Sequence, residues 1–176
     1  MRLDESIFDK IYSLSGQNPF LDGLFIFFAD YLIYAVMLIF FWLVFFRLKD
    51  TKDRAYFFYL GVLSVIFSWG IVTEIFRFFY YSPRPFVLEF ESLIRHIDTS
   101  SFPSGHMMFI IPIVLSVFYI DKKWGLILLS MAILTAISRI AVGVHWPIDI
   151  IGAFFLGPAS FYSIKYLYDL KLRKRK

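Results

Sequence analysis

Three short stretches of this sequence carry the residue types that chemistry on an anion needs. Arg139, His145 and Asp149 follow one another at a junction between two apolar segments, where ionisable side chains are costly and therefore usually functional. Two further polar stretches, residues 77–85 and 103–106, also lie at the ends of apolar segments. If the apolar segments form a bundle, the three stretches could meet on one side of it.

Arginines and histidines in this combination suit phosphoryl chemistry. Guanidinium groups bind tetrahedral oxyanions through paired hydrogen bonds and stabilise charge on a transferring phosphoryl group. Ser104 and Gly105 begin a predicted helix whose free backbone N–H groups can add to such a site. His145 and Asp149 are four residues apart, so the carboxylate can orient the imidazole for attack on phosphorus. His106 can then protonate the leaving oxygen.

The composition places these residues in a membrane protein. Of the 176 residues, 59% are hydrophobic and only 18% are charged, which is too apolar for a soluble domain of this size. The absence of cysteine excludes disulfides and thiolate metal sites. The net charge of +4 is modest and gathers in short clusters, so nucleic acid is not an expected partner.

The hydrophobic segments predict an all-α, polytopic membrane helix bundle that forms a single domain over residues 1–176. Residues 3–15 are a predicted amphipathic helix that lies in the membrane interface or caps the bundle, and both placements stay open. Five predicted transmembrane spans follow, which makes six helices in all. The spans cover residues 21–46, 55–79, 104–120, 124–141 and 147–168.

Lysines and arginines in the connections predict the orientation of the bundle. Residues 47–54, Lys122, Lys123 and the tail 171–176 lie on the same side of the five predicted spans. Positive residues concentrate on cytoplasmic loops, so this side, with the basic C-terminus, should be cytoplasmic. The motif residues would then face the periplasm or exterior of a multi-pass protein in the cytoplasmic (inner) membrane.

The three stretches closely resemble the three-part signature of the type 2 phosphatidic acid phosphatase superfamily, which includes undecaprenyl-diphosphate phosphatases and lipid A phosphatases. The resemblance rests on Arg77-x6-Arg84-Pro85, Pro103-Ser104-Gly105-His106 and Ser138-Arg139-x5-His145-x3-Asp149. One position departs from the pattern, because Arg77 stands where the family usually has lysine. The charge is kept, but a planar fork of donors replaces a point donor.

This resemblance implies a role for each motif residue. His145 would be the nucleophile that forms a phosphohistidine, and Asp149 would be its orienting partner. His106 would be the general acid and later the base that activates water. The phosphate would be bound by Arg77, Arg84, Ser104, Gly105 and Arg139. The resemblance implies that no metal and no other cofactor is required.

The predicted function is a metal-independent integral-membrane phosphatase that hydrolyses a lipid phosphate or diphosphate at the outer membrane face. Undecaprenyl diphosphate is the first choice of substrate, and lipid A 1-phosphate and phosphatidylglycerol phosphate follow. Two alternatives stay open: phosphoryl transfer from the same histidine to an acceptor other than water, and a non-catalytic membrane protein that binds anionic lipid. The expected partners are the lipid substrate and the bilayer, and the oligomeric state is not predicted.

Four ionisable residues outside the motifs receive no role in phosphate chemistry. Asp30 lies inside the first predicted span, where a structural carboxylate and one that faces a cleft are both open. Glu74 is three residues from Arg77 and could pair with it. His96 is interpreted as a structural residue with satisfied hydrogen bonds, and Arg95 as a solvated loop charge.

Overall fold

The computed structural model describes residues 3–173, and every regular element in that range is a helix. The α-helices are α1 (Leu3–Tyr12), α2 (Pro19–Asp30), α3 (Leu32–Trp42), α4 (Thr51–Val65), α5 (Thr73–Phe79), α6 (Pro85–Leu88), α7 (Gly105–Ile120), α8 (Lys122–Ala141) and α9 (Pro147–Arg173). Wider π-helical turns, Leu43–Arg47 and Ile66–Val72, follow α3 and join α4 to α5. The predicted all-α class is confirmed for this range, and the last part of the predicted basic tail, residues 174–176, lies outside it.

Candidate membrane spans are fewer than the five predicted. Within the described residues, three helical segments are long and apolar enough to cross a membrane: Thr51–Phe79, Lys122–Ala141 and Pro147–Arg173. A fourth candidate is a broken span, because Pro19–Asp30 and Leu32–Arg47 meet at a bend of 45°. The predicted third span corresponds to α7, whose 16 residues extend about 24 Å and fall short of a hydrocarbon core of about 30 Å.

Helix α7 lies at the centre of the bundle. It packs against α3, α4, α8 and α9, and ten of its sixteen residues are buried, among them Met107, Met108 and Val114. A helix that is enclosed by others is apolar on all sides and has no polar stripe. Its N-terminus, Gly105, lies at the end of the bundle that holds the predicted site residues.

Gly61 of α4 allows α3 and α4 to approach each other closely. A Cβ atom at this position would overlap the ring of Phe40 in α3, and Phe40 is itself buried. Small residues are expected at such contacts, because close van der Waals packing holds membrane helices together. The contact fixes the spacing of two helices that flank an apolar groove.

Helix α1 packs on the end of the bundle that holds the predicted site. Phe8 is fully buried, and its ring centroid lies 4.7 Å from those of both Phe90 and Trp146. The Asp4 carboxylate accepts a hydrogen bond of 2.9 Å from the backbone N–H of Ile148, in the first turn of α9. Of the two placements predicted for this helix, these contacts favour the cap on the bundle.

Candidate active site

The three polar stretches meet around one cavity of about 400 Å³. The end of α5, the loop before α6, the N-terminus of α7 and the turn between α8 and α9 bring them together. The polar part of the wall contains Arg77, Arg84, His96, Thr99, Gly105, His106, Arg139 and His145. The apolar part contains Ile33, Tyr34, Met37, Trp69 and Phe109. Ser104 and Asp149, the other two predicted site residues, are fully buried and do not line the cavity.

The turn between α8 and α9 presents His145 to this cavity. Gly143 in the turn has a φ of +78°, a left-handed conformation that glycine adopts without strain. His145 is buried, and its Nδ1 lies 3.2 Å from Asp149 Oδ2. Its Nε2 lies 3.4 Å from Arg84 Nη1. Because an ionised carboxylate only accepts hydrogen bonds, Asp149 favours the tautomer with the proton on Nδ1, which leaves the lone pair on Nε2, facing the arginine.

Burial and neighbouring charge keep His145 neutral. Burial lowers the pKa of His145 well below its ordinary value, and the positive charges of Arg139 and Arg84 lower this pKa further. A neutral imidazole at pH 7 has the free lone pair that a nucleophile needs. The surroundings of His145 therefore favour the nucleophilic form.

Three donors hold the carboxylate of Asp149 in place. Besides His145, the backbone N–H of Trp146 donates to Oδ2 at 2.8 Å, and the Ser101 hydroxyl donates to Oδ1 at 3.2 Å. A carboxylate with this many donors keeps one orientation toward the imidazole. Ser101 was not predicted, because it is 48 positions from Asp149 and no local spacing relates the two.

Arg84 ties two loops together beside His145. Its Nε donates to the Thr99 carbonyl oxygen and its Nη1 to the Val144 carbonyl oxygen, both at 2.9 Å. Burial, followed by the positive charge of Arg77, lowers the pKa of Arg84 to about 10, so the guanidinium stays charged at pH 7. Arg84 therefore fixes the loops and places a positive charge next to Nε2 of His145.

Arg139 has hydrogen-bond donors that no described residue uses. The side chain is 1% exposed, and its Nη1 donates to Asp30 Oδ1 at 2.8 Å. Its Nε and Nη2 are buried and have no hydrogen-bond partner within residues 3–173. Buried donors without partners are rare in native structures and call for an explanation. Since Arg139 lines the cavity, a bound anion would provide the missing acceptors.

Arg77 and the N-terminus of α7 complete the cationic wall. Arg77 Nη1 lies 3.1 Å from Glu74 Oε1, so the predicted pair is present, with Glu74 largely exposed. A Cβ atom at Gly105 would lie 3.2 Å from Arg77 Nη2, and glycine at this position thus leaves room for the guanidinium. Arg77 Nε and Ser104 Oγ are buried without a hydrogen-bond partner among the described residues. His106 lines the cavity from the first turn of α7.

Two residues to which the sequence analysis gave no chemical role lie at this site. His96 lines the cavity, although its Nδ1 is also 3.0 Å from the Ile97 carbonyl oxygen, as expected of a satisfied structural histidine. Asp30 holds Arg139. The signal for Asp30 was an acid inside an apolar segment, whereas no spacing pointed to His96. Arg95 is exposed, in agreement with a solvated loop charge.

The carboxylates near the arginines are already engaged. Asp30 accepts from Arg139, and Asp149 accepts from His145. Within residues 3–173, no group of three or more His, Asp and Glu side chains is arranged to hold a metal ion. The polar part of the cavity wall thus presents mainly hydrogen-bond donors and positive charge, which suit an anion.

Comparison with known proteins agrees with this geometry. The family model of the PAP2 superfamily matches residues 58–173. Undecaprenyl-diphosphatase BcrC of Bacillus subtilis (strain 168) is 32% identical over 154 residues, which cover 86% of this chain and 77% of that protein.

Two crystal structures share the fold of this chain. LpxE of Aquifex aeolicus superposes with a TM-score of 0.77 at 24% identity, covering 94% of this chain and 96% of the other. A PAP2 type phosphatidylglycerolphosphate phosphatase from Bacillus subtilis gives a TM-score of 0.65 at 23% identity, covering 94% and 84%. Because the family match covers residues 58–173 and the BcrC relative is 32% identical, the chain belongs to the PAP2 superfamily, which confirms both the family predicted from the three motifs and the prediction of a phosphatase.

Proposed function

We propose that this protein is an integral-membrane lipid phosphatase that removes the terminal phosphate of undecaprenyl diphosphate through a phosphohistidine on His145. The observation that carries the proposal is the direction of the His145 ring. Asp149 forms a hydrogen bond with Nδ1 of His145. Nε2, on the other side of the ring, lies 3.4 Å from Arg84 Nη1, in the wall of a cavity lined by three arginines. The relative named undecaprenyl-diphosphatase supports this choice of substrate.

The first chemical step transfers the terminal phosphoryl group to His145. Nε2 attacks the phosphorus, so a P–N bond forms while the P–O bond to the remaining lipid phosphate breaks. His106 gives a proton to the leaving oxygen. Asp149 stabilises the positive charge that develops on the imidazole, because its carboxylate accepts the hydrogen bond from Nδ1–H.

The second step hydrolyses the phosphohistidine. His106, now without its proton, accepts a proton from a water molecule as that water attacks phosphorus. The P–N bond breaks, its electron pair returns to Nε2, and inorganic phosphate leaves. Arg77, Arg84 and Arg139, with the backbone at Gly105, bind the phosphate oxygens in both steps and stabilise the charge that builds on them.

An apolar groove beside the cavity suits the first part of the hydrocarbon chain of a lipid substrate. This groove has a volume of about 180 Å³ and shares Met37 and Phe109 with the wall of the phosphate cavity. It runs between α3 and α4, and its other wall residues, all apolar, are Phe40, Phe41, Gly61, Val62, Val65, Ile66 and Ile113. A lipid whose headgroup lies among the arginines would thus place the start of its hydrocarbon chain in this groove. This continuity supports a lipid rather than a small soluble phosphate as the substrate.

The proposed membrane arrangement is a single domain with five spans in the cytoplasmic membrane. The broken pair α2–α3, the long helix from Thr51 to Phe79, α7, α8 and α9 are the spans, and α1 caps the site. The short α7 still fits this arrangement because other helices surround it. The basic residues at 47–54 and 122–123 favour the cytoplasm for their side. The cavity would then face the periplasm or exterior.

The test is a phosphate-release assay with purified protein in detergent. The panel contains undecaprenyl diphosphate, lipid A, phosphatidylglycerol phosphate and phosphatidic acid, each with and without a chelator. We expect the highest rate with undecaprenyl diphosphate, no effect of the chelator, and no release by the His145→Ala variant. A wild-type protein that binds these lipids but releases phosphate from none of them would instead support a non-catalytic lipid-binding protein.

A further inference from the structure

Asp30 is a carboxylate at the break between two membrane helices. It is the last residue of α2, and its side chain is 38% exposed. Its neighbour Ala29 is fully buried and packs with Val142 and Val144 of the turn that precedes His145. Because this contact anchors the end of α2, the Asp30 carboxylate has a fixed position relative to the phosphate cavity.

The contact between Asp30 and Arg139 uses only part of the guanidinium. Nη1 of Arg139 donates to Asp30 Oδ1 at 2.8 Å, and Nε and Nη2 stay without a partner in the described part of the chain. A guanidinium is planar, with its donors in a rigid fork. When one nitrogen is held, the directions of the other N–H groups are therefore largely determined.

We propose that Asp30 is a positioning residue that orients Arg139 so that its two unpaired donors meet the transferring phosphate. The proposal rests on the proposed function, because it assigns these donors to the phosphate of that reaction. Asp30 itself does not touch the substrate in this account. Its effect on catalysis passes through Arg139.

The negative charge of Asp30 makes it possible to distinguish a positioning role from a purely electrostatic role by the effect of its removal on phosphate binding. A carboxylate near the cavity repels an anionic ligand, so its removal should strengthen phosphate binding if charge alone mattered. If Asp30 orients Arg139, its removal should weaken phosphate binding, because misplaced donors lose their hydrogen bonds. The two explanations therefore predict changes of opposite sign.

The experiment is a double-mutant cycle with Asp30→Ala, Arg139→Ala and the double variant. We expect Asp30→Ala to lower kcat/KM by about 10- to 100-fold, the size of effect that a misplaced binding group produces. In the Arg139→Ala background the same change should have little further effect, because there is no guanidinium left to orient. Equal losses of activity in both backgrounds would overturn the proposal.

Binding of inorganic phosphate, measured by calorimetry on the same variants, tests the proposal without turnover. Weaker phosphate binding by Asp30→Ala supports positioning, and unchanged or tighter binding contradicts it. This readout still applies if the protein releases phosphate from no lipid, so failure of the proposed function is distinguishable from failure of this inference. Asp30→Asn keeps an acceptor oxygen and should retain more phosphate binding than Asp30→Ala.

Asp22→Asn is the matched control on the same helix. Asp22 accepts from the backbone N–H of Gly16 at 2.8 Å and does not line the cavity. Phosphate binding and kcat/KM should stay within about twofold of wild type, as for most substitutions away from a site. A loss at Asp22 equal to that at Asp30 would mean that any damage to α2 impairs the site, which contradicts a specific role for Asp30.

Discussion

Two ionisable pairs with the same spacing lie at opposite ends of α9. His145 and Asp149 are four residues apart at its start, and Lys165 and Asp169 are four residues apart near its end. The side chains of the first pair are 2% and 0% exposed, whereas those of the second pair are 24% and 33% exposed. The second pair has the shorter contact, 2.6 Å against 3.2 Å.

This difference in burial and neighbours, rather than spacing or contact length, distinguishes the pair that we propose to be reactive from the surface pair. An exposed pair at this spacing contributes about 0.3–0.5 kcal/mol. Removing one partner of a buried hydrogen bond costs about 1–3 kcal/mol, and more when the remaining group is charged, because that group is left without compensation. The pair at the start of α9 is therefore the more sensitive of the two to substitution, and the proposed function gives it a chemical use beside the arginines.

The largest contrast is expected when one member of each pair is removed. His145→Ala should lower phosphate release by about 10⁴-fold or more, as loss of a nucleophile does, with lipid binding retained. Lys165→Ala should leave turnover within about twofold. Steady-state phosphate release and lipid binding measured on both variants check this. Substantial turnover by His145→Ala would show that another group attacks phosphorus.

Substitution of the acidic member should also lower activity more in the buried pair, at Asp149, than in the exposed pair, at Asp169. Asp149→Asn replaces one carboxylate oxygen with an NH2 donor and no longer fixes the Nδ1–H tautomer of His145, so kcat should fall by about 10²- to 10⁴-fold. Asp169→Asn should change kcat by less than about twofold. Kinetics and thermal unfolding of both variants measure the difference. Equal losses at the two positions would contradict the distinction drawn between the pairs.

A smaller effect is expected when the apolar groove is narrowed. Val62→Trp should fill the groove between α3 and α4 and lower kcat/KM for undecaprenyl diphosphate by about tenfold, comparable to a poorly fitted apolar pocket. A short-chain isoprenyl diphosphate should be affected less. Ile133→Trp, on the exposed surface of α8, is the size-matched control. Equal losses with long and short chains would argue against a chain-binding groove.

The smallest expected change is a shift in pH dependence. Because burial and the arginines lower the pKa of His145, wild-type kcat/KM should not fall with acidity until the pH is well below about 6.5, the ordinary histidine value. Arg84→Gln removes one positive neighbour and should raise this pKa, which moves the acidic limb to higher pH by up to about one unit. Profiles are compared after scaling to each variant's plateau. An acidic limb that does not move in Arg84→Gln would contradict this coupling. The control is Arg47→Gln, at the end of the bundle opposite the cavity, which should leave the acidic limb in place.

The positions of the three motifs at the ends of apolar segments predicted that these stretches meet. Arg84, Arg139 and His145 line one cavity because Arg139 lies in the last turn of α8, and the connections that carry Arg84 and His145 lie at the same end of the bundle. The contact of Arg139 with Asp30 and that of Asp149 with Ser101 join residues 109 and 48 positions apart. No periodicity encodes such contacts, because they depend on how the helices pack.

The fold shows the same division between local and long-range information. Apolar length predicted a span over residues 55–79, where the structure has the long helical segment Thr51–Phe79, and Pro147 marked the start of α9. The 45° bend after Asp30 was not predicted, since the segment is apolar on both sides of the bend and has no proline there. The cap position of α1 was not decided by its amphipathic pattern, because that pattern suits a lipid surface and a protein surface equally.

Direct detection of the covalent intermediate tests the central claim. The protein is mixed with undecaprenyl diphosphate labelled in its terminal phosphate and quenched in alkali within one turnover, because a phosphorus–nitrogen bond on histidine survives base. The modified peptide is then identified by mass spectrometry. The account predicts label on the peptide that contains His145, and none in His145→Ala. Label on another residue, or rapid turnover with no labelled protein at any quench time, would contradict it.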